Sequence, residues 1–198
     1  MEADDLIEET LSLPGGELRL LQPRESAELP DDGGVEWAPL VPYWSVLWRS
    51  GVALARELGG ERLDGLRVVE LGCGMGVPSL VASRRGAAVL ATDASAEALE
   101  LLALNASRNG IAVETAQLDW ARPTELPARA AFDLALAADV LYERASVGPL
   151  LALLPRLAPR ALVADPGRPA AQAFLAAARR DWSIETRTTG VVDIHALS

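Results

Sequence analysis

The chain has 198 residues, half of them hydrophobic, and a formal net charge of -10, which fits one globular domain and argues against a nucleic-acid backbone as partner. One cysteine and one histidine exclude an internal disulfide and disfavour a bound metal such as zinc. Because no apolar run is long enough to span a membrane and the N-terminus has no signal-peptide pattern, we expect a cytoplasmic protein with no membrane partner.

The first 41 residues differ from the rest of the chain. They are rich in acidic residues, prolines and paired glycines, and one alternating stretch, residues 17–21, is typical of a strand or half a hairpin. We interpret residues 1–41 as an N-terminal extension and residues 42–198 as the main domain.

From residue 43 onward, helix-like and strand-like patterns alternate. Apolar spacing and capping residues predict helices over residues 43–58, 77–85, 95–109, 144–157 and 169–180. Short apolar runs predict strands over residues 66–71, 87–92, 111–117, 132–138 and 161–165, and two more strands flank Thr189-Gly190. This alternation predicts an α/β fold, a doubly wound and mainly parallel seven-stranded sheet with one antiparallel strand near the C-terminus.

A carboxylate stands at or just after the end of five of these strands. The five residues are Glu70, Asp93, Asp119, Asp139 and Asp165. Ligands of doubly wound sheets bind beyond the carboxyl ends of the strands, so these side chains are candidates for one binding site. Any one of them alone has a simpler explanation, because aspartate is common in loops and caps helices.

The loop after the first of these strands has alternating glycines, Gly72, Gly74 and Gly76, which let a ligand approach the backbone. Asp93 follows after roughly twenty residues, where dinucleotide folds place the acidic residue that binds ribose hydroxyls. Most such loops hold phosphates, but a carboxylate at Glu70 would repel a phosphate. S-adenosylmethionine fits better, since it carries an adenosine, no phosphate, an ammonium and a sulfonium.

These motifs together resemble those of class I S-adenosylmethionine-dependent methyltransferases, over roughly residues 40–198. The matching stretches are VELGCGMG (69–76), Asp93, LDW (118–120) and ADVLY (138–142). Within that class, DVLY (139–142) matches the D-x-x-Y pattern of the seven-strand protein-lysine methyltransferases. Two longer stretches, 42–58 and 164–169, are similar to segments of the group's enzymes that modify the electron-transfer flavoprotein β subunit.

The resemblance implies roles for individual residues. Asp139 would hold the target amine beside the sulfonium and accept its proton, and Tyr142 would flank it. Substrate contacts would come from Trp44, Asp165 and Arg168. Cofactor contacts would come from Trp48, Glu70, Gly72, Cys73, Gly74, Gly76, Asp93, Ala94, Asp119, Trp120 and Ala138.

Asp93 would hold the ribose hydroxyls, and Asp119 would reach the adenine amino group with Trp120 beside the ring. Cys73 is a small filler of the loop rather than a nucleophile.

Three of the five tryptophans, Trp37, Trp44 and Trp48, lie close together in the sequence. Aromatic faces attract cations, so this segment would be suited to close over the cofactor or an incoming lysine. The alternative is that Trp44 and Trp48, four residues apart, form the buried stripe of a helix.

The sequence therefore predicts an S-adenosylmethionine-dependent N-methyltransferase that acts, as a monomer, on a lysine side chain of a protein. All 18 basic residues are arginine, so the chain offers no lysine side chain of its own. Two alternatives stay open: a small-molecule N-methyltransferase, which would need a closed pocket rather than an open groove, and a non-catalytic scaffold that binds a partner.

Overall fold

The computed structural model of the chain describes residues 5–27, 42–120 and 132–198. Its strands are β1 (Leu6–Leu13), β2 (Gly16–Pro23), β3 (Arg67–Leu71), β4 (Ala88–Asp93), β5 (Glu114–Gln117), β6 (Leu134–Ala138), β7 (Ala161–Asp165), β8 (Ile184–Thr189) and β9 (Val192–Leu197). Its helices are α1 (Arg24–Ala27), α2 (Arg49–Gly60), α3 (Val77–Arg84), α4 (Ala96–Arg108), α5 (Val147–Leu157) and α6 (Pro169–Ala178). Short 3-10 turns at Tyr43–Ser45 and Arg144–Ser146 precede α2 and α5.

Seven of the described strands form one sheet in the order β5-β4-β3-β6-β7-β9-β8. The first five in this order pair in parallel, whereas β9 runs antiparallel to both of its neighbours. The predicted doubly wound sheet with one antiparallel strand is therefore confirmed. Its order reverses between β3 and β6, and a crevice at such a switch point is where this kind of fold binds ligands.

Helices cover both faces of the sheet, because the central strands are apolar on both sides. Along β3, Val68 packs into a cluster with α2, α3 and α4, while Val69 packs into a second cluster with α5 and α6. Leu134 and Ala135 of β6 divide in the same way. This alternation follows the pleat of a strand and explains why the central strands read as continuous apolar runs.

The N-terminal residues include a hairpin that packs on the main sheet's helices. β1 and β2 pair antiparallel from Leu6 opposite Pro23 to Leu13 opposite Gly16. Leu18 and Leu20 of β2 are fully buried in the same cluster as α2, α3 and α4. Residues 5–27 thus share the core of the main fold, although the predicted boundary between residues 41 and 42 stays a prediction.

Asn105 of α4 and Asn109, the residue that caps the end of α4, cover the free edge of β2. The side-chain amide of Asn105 accepts from Leu21 N at 2.7 Å and donates to Leu21 O at 3.1 Å. Asn109 makes the same pair of bonds with Arg19, at 2.9 and 2.7 Å. One helical turn on α4 therefore matches two residues along β2, and the side chains take the place of a neighbouring strand.

Asn105→Ala is expected to destabilise the fold by about 1–3 kcal/mol, since it leaves a backbone N–H and C=O of Leu21 without their buried partner. The free energy of unfolding in urea measures this loss. Asn109→Ala is the matched control, because the same bonds there involve more exposed atoms and the expected loss is smaller. Equal unfolding midpoints for Asn105→Ala and the wild type would contradict the assigned role.

The predicted helix over residues 43–58 is wrong at its start. Tyr43–Ser45 form a 3-10 turn, and Trp48 is extended, with φ -71° and ψ 140°, so α2 begins only at Arg49. The indole Nε1 of Trp48 donates to Tyr43 O at 2.8 Å and holds the chain in this bent path. Trp44 and Trp48 are therefore not successive positions on one helix stripe.

The predicted strand over residues 111–117 begins only at Glu114, because Ile111 N still donates to Ala106 O at 2.9 Å at the end of α4. Trp37, the third tryptophan of the predicted aromatic cluster, lies outside the described residues. No helix in the described part of the chain has the length and apolar character needed to cross a membrane.

Candidate active site

A pocket of about 590 Å³ lies at the carboxyl ends of β3 and β6. Its walls are the glycine loop, the segment that leads into α2, and the residues that follow β4, β5 and β6. Among the described residues, the charged side chains that line it are Glu70, Asp93, Asp119, Asp139 and Arg168. Four acidic side chains and one guanidinium favour a cationic ligand over a phosphate. No group of His, Cys, Asp or Glu in the described ranges is arranged as a metal site.

The glycine loop is covered closely by two tryptophans. Gly72 and Gly74 have φ of 66° and 49°, in the left-handed region that side chains disfavour. A Cβ at Gly72 would lie 2.9 Å from the ring of Trp120, and a Cβ at Gly74 would lie 3.0 Å from Trp44 O. Glycine is therefore required both by the turn and by the close approach of Trp44 and Trp120.

Glu70 lies beneath the loop and is only 1% exposed. Its Oε2 accepts hydrogen bonds from the backbone N of Ser79, at 2.9 Å, and from the Ser79 hydroxyl. Burial raises the pKa of the Glu70 carboxyl to about 8, against the opposing effect of the Ser79 hydrogen bonds. Glu70 therefore carries a proton at neutral pH until a cation in the pocket favours its ionised form.

Asp93 joins the end of β4 to the glycine loop. Its Oδ2 accepts from Gly74 N and its Oδ1 accepts from Ser95 N, both at 2.9 Å. Ser95 in turn caps α4 by accepting from Ala98 N. Each carboxylate oxygen of Asp93 keeps a further lone pair, so a pair of hydroxyl groups in the pocket can donate to it.

The far wall of the pocket follows β5. Leu118 N donates to Asp93 O at 2.8 Å, which places Asp119 and Trp120 against the pocket. The Nε1 of Trp120 is buried and has no hydrogen-bond partner among the described residues. An apolar ring wall beside a carboxylate suits a flat base with an amino group. Burial raises the pKa of the Cys73 thiol well above its usual value, which disfavours the thiolate that a nucleophile needs.

Asp139 ties three parts of the chain together at the opposite wall. It is the one described non-glycine residue with positive φ, at 57°, and it is 7% exposed. Its Oδ1 pairs with the guanidinium of Arg168, while its Oδ2 accepts from Ser50 N at 3.1 Å, in the first turn of α2. Asp139 thus caps α2 from a distance, which satisfies a helix end that has no local side-chain cap.

Asp165 supports the pocket wall rather than lining it. This residue is fully buried, and its Oδ1 accepts from Gly167 N and Arg168 N, both at 2.7 Å. Its Oδ2 lies 3.3 Å from Arg168 Nη1. Of the three predicted substrate contacts, Trp44 and Arg168 line the pocket and Asp165 does not, because its carboxylate is engaged by the loop behind the wall.

Three aromatic rings line the same pocket as Asp139. The rings of Tyr43 and Tyr142 are 5.1 Å apart between centroids, and those of Tyr43 and Trp48 are 6.4 Å apart. The guanidinium carbon of Arg168 lies 6.0 Å from the ring centroid of Trp48. Tyr142 is 38% exposed, and partial burial raises the pKa of its phenol above the usual value. Sequence reasoning missed Tyr43, although it directly precedes the singled-out Trp44.

The structure brings nearly all of the predicted site residues to this pocket. Those that line it are Trp44, Trp48, Glu70, Gly72, Cys73, Gly74, Gly76, Asp93, Ala94, Asp119, Trp120, Ala138, Asp139, Tyr142 and Arg168. Sequence reasoning also missed Ser50 and Ser79. Ser79 follows closely on the predicted helix start at residue 77, whereas Ser50 lies inside the predicted helix over residues 43–58 and has no such signal.

The sheet order, the glycine loop after β3 and the acidic residue at the end of β4 define a class I S-adenosylmethionine-dependent methyltransferase. More narrowly, the chain belongs to the lysine methyltransferase family, whose sequence model matches residues 44–170. The class and the family that the sequence motifs predict are thereby confirmed, and S-adenosylmethionine is the cofactor of this class.

Individual relatives are similar over part of their length. The Protein N-lysine methyltransferase METTL21A of Danio rerio is 36% identical over 120 residues, covering 57% of this chain and 55% of the relative. The Ribosomal protein L11 methyltransferase of Ectopseudomonas mendocina is 37% identical over 120 residues, covering 60% of this chain and 37% of the relative. The chain thus spans about half of the first relative and less of the second.

The fold also matches solved methyltransferase structures. The 16S rRNA methyltransferase RsmC of T. thermophilus, solved with AdoMet and guanosine, aligns with a TM-score of 0.67. The alignment covers 98% of this chain and 50% of that chain at 16% sequence identity. At this identity the likeness concerns the fold alone.

Proposed function

We propose that the chain transfers the methyl group of S-adenosylmethionine to the side-chain nitrogen of a lysine in a protein. The observation that carries this proposal is a pocket lined by Asp139, by aromatic rings and by the glycine loop. A carboxylate beside aromatic faces is a site for an ammonium group. Family membership and the name of the Danio rerio relative support lysine as the acceptor.

The described side chains fit the cofactor. We assign the ribose hydroxyls to Asp93, the adenine to the wall of Asp119 and Trp120, and the amino-acid part to the glycine loop above Glu70. Arg168 is the one cation among the described lining residues, and it faces Asp139 rather than the glycine loop. When bound, S-adenosylmethionine supplies a methyl group activated by its sulfonium.

The protein's task is to align the acceptor nitrogen and to exclude water from the line of transfer. Alignment of this kind contributes on the order of 7–11 kcal/mol to lowering a barrier. Both oxygens of Asp139 already accept bonds from the protein. We therefore assign Asp139 to holding the amine electrostatically, and the ammonium proton to water at the pocket mouth, where Tyr142 is exposed.

A protein substrate fits the surroundings of the pocket better than a small amine. Tyr142 reaches both the pocket and the surface, so a long side chain can enter from outside. The net charge of -10 favours a basic surface around the target lysine. The predicted cytoplasmic location and monomeric state stay predictions.

Titration calorimetry with S-adenosylmethionine and, separately, NAD tests the cofactor. Micromolar binding of S-adenosylmethionine alone is expected, whereas binding of NAD alone would contradict the proposal.

Incubation with radiolabelled cofactor and a cell lysate then tests the acceptor. Label in a protein band, on lysine after hydrolysis, supports a protein substrate. Label confined to small molecules would instead favour a small-molecule N-methyltransferase.

Glu70 predicts proton release when the cofactor binds. Its pKa of about 8 means that the free protein holds this proton at pH 6.5, and a bound cation favours its loss. Calorimetry at pH 6.5 in buffers of different ionisation enthalpy is expected to show release approaching one proton, falling toward zero above pH 9. Glu70→Gln is the control and should release none. Identical release from both proteins would contradict the assignment.

The same shift predicts how stability depends on pH. Folding raises the pKa of Glu70 from 4.5 to about 8. The contribution of Glu70 to the free energy of unfolding is therefore fully present below pH 4.5 and is lost as the pH rises through 8.

A further inference from the structure

The pocket wall contains two buried carboxylates that share one guanidinium. The side chains of Asp139 and Asp165 are 6% and 1% exposed, and that of Arg168 is 14% exposed. Arg168 Nη1 pairs with Asp139 Oδ1 and lies 3.3 Å from Asp165 Oδ2. Within these contacts, the single positive charge of Arg168 pairs with the two carboxylates of Asp139 and Asp165.

Arg168 makes the contacts that an incoming ammonium would need. A lysine amine held in this pocket would meet the carboxylate of Asp139 and the face of Trp48. The guanidinium already pairs with that carboxylate and lies 6.0 Å from the centroid of that ring. The position for the amine is therefore filled by a cation of the chain itself.

We propose that Arg168 occupies the position of the target ammonium while no substrate is bound. The substrate ammonium displaces Arg168 from Asp139, and the guanidinium of Arg168 then moves fully to Asp165. This exchange rests on the proposed function, because it assigns the Asp139 position to the acceptor amine. After the exchange each of the two carboxylates has its own cation.

The local geometry favours a short movement of one side chain. Arg168 Nη1 is already near Asp165, so the guanidinium needs to shift only within a cluster that it occupies. Asp165 is fixed by the backbone N–H groups of Gly167 and Arg168 and needs no movement itself. Burial raises the pKa of Asp165, and Arg168 opposes that rise, so a closer guanidinium further stabilises the ionised form.

The exchange makes Arg168 a residue that sets specificity. An entering group must compete with the Arg168 guanidinium for Asp139, so an uncharged side chain cannot displace Arg168. A lysine ammonium can, because it replaces both contacts at once. Removal of Arg168 should therefore make the site accept alkylammonium ions more readily.

Binding of n-butylammonium, which mimics a lysine side chain, tests the exchange. The titration uses protein saturated with S-adenosylhomocysteine, which carries no transferable methyl group. Arg168→Met is expected to bind n-butylammonium ~10-fold more tightly than the wild type, equivalent to about 1.4 kcal/mol. Asp165→Asn is expected to bind n-butylammonium more weakly than the wild type. In this variant the displaced guanidinium has no Asp165 carboxylate to pair with. Adding Asp139→Asn to Arg168→Met should remove the gain.

A purely structural tie between Arg168 and Asp139 gives a different pattern. Arg168→Met would then lower the melting temperature without any gain in n-butylammonium affinity, and this result would overturn the proposal. If Arg168→Met does not fold, the affinity of Asp165→Asn for n-butylammonium tests the exchange. An affinity of this variant equal to that of the wild type also overturns the proposal. Labelling of a lysate by the wild type separates these outcomes from failure of the proposed function. Failure of the proposed function would leave no label on lysine, whereas failure of the exchange alone leaves that labelling intact.

Discussion

Asp139→Asn is expected to lower kcat/KM for methyl transfer by ~100-fold or more, while the Kd for S-adenosylmethionine changes by less than about threefold. The amide keeps an oxygen that can accept from Ser50 N, and asparagine tolerates the positive φ of this position. The substitution therefore removes the charge that holds the amine and leaves the start of α2 capped. Steady-state kinetics with a lysine substrate and calorimetry with the cofactor measure the two quantities.

Asp133→Asn is the matched control for Asp139→Asn. Asp133 also accepts a backbone N–H, from Arg67 at 2.8 Å, but it lies on the surface and does not line the pocket. Its activity should equal that of the wild type. Full activity of Asp139→Asn would remove this carboxylate from the amine site and with it the main support for the acceptor.

Asp93→Ala is expected to weaken binding of S-adenosylmethionine by ~100-fold or more. Hydrogen bonds to a charged group contribute about 1.5–3 kcal/mol each, and two ribose hydroxyls are assigned to this carboxylate. The variant also releases Gly74 N, which Asp93 now holds in place within the glycine loop. Direct titration of the cofactor measures the loss.

Ser95→Ala separates the cofactor contact from the stability of α4. It removes the cap that Ala98 N donates to, at a cost of about 1 kcal/mol of stability, and leaves the Asp93 carboxylate intact. Its cofactor affinity is expected to stay within about threefold of the wild type. If both variants bind the cofactor equally well, the ribose does not depend on Asp93.

Most of the fold could be predicted from sequence because its signals are local. Each central strand is a short apolar run, and Ser95 and Gly110 mark the ends of α4 in the sequence itself. The start of α2 could not be predicted this way. Its apolar spacing continues back to Tyr43, whereas its true first residue is set by a carboxylate 89 positions away from Ser50.

The candidate site also has a part that the sequence predicts and a part that it does not. The glycine loop, Glu70 and Asp93 are predictable, because parallel strands bring their carboxyl ends to one edge of the sheet. The contact between Asp139 and Arg168 is not, since it depends on how two loops pack across the crevice. The role of Asp165 differs for the same reason: its position after a strand predicts a ligand contact, but the turn of the following loop takes both of its oxygens.

The tie at Asp139 also has a consequence for the order of events during synthesis. Synthesis runs from the N-terminus, so Ser50 is available before Asp139 and Asp139 before Arg168. The start of α2 can therefore be capped by Asp139 before the ion pair across the crevice forms. Arg168 follows all other described residues of the pocket wall in the sequence, so its pairing with Asp139 completes that wall.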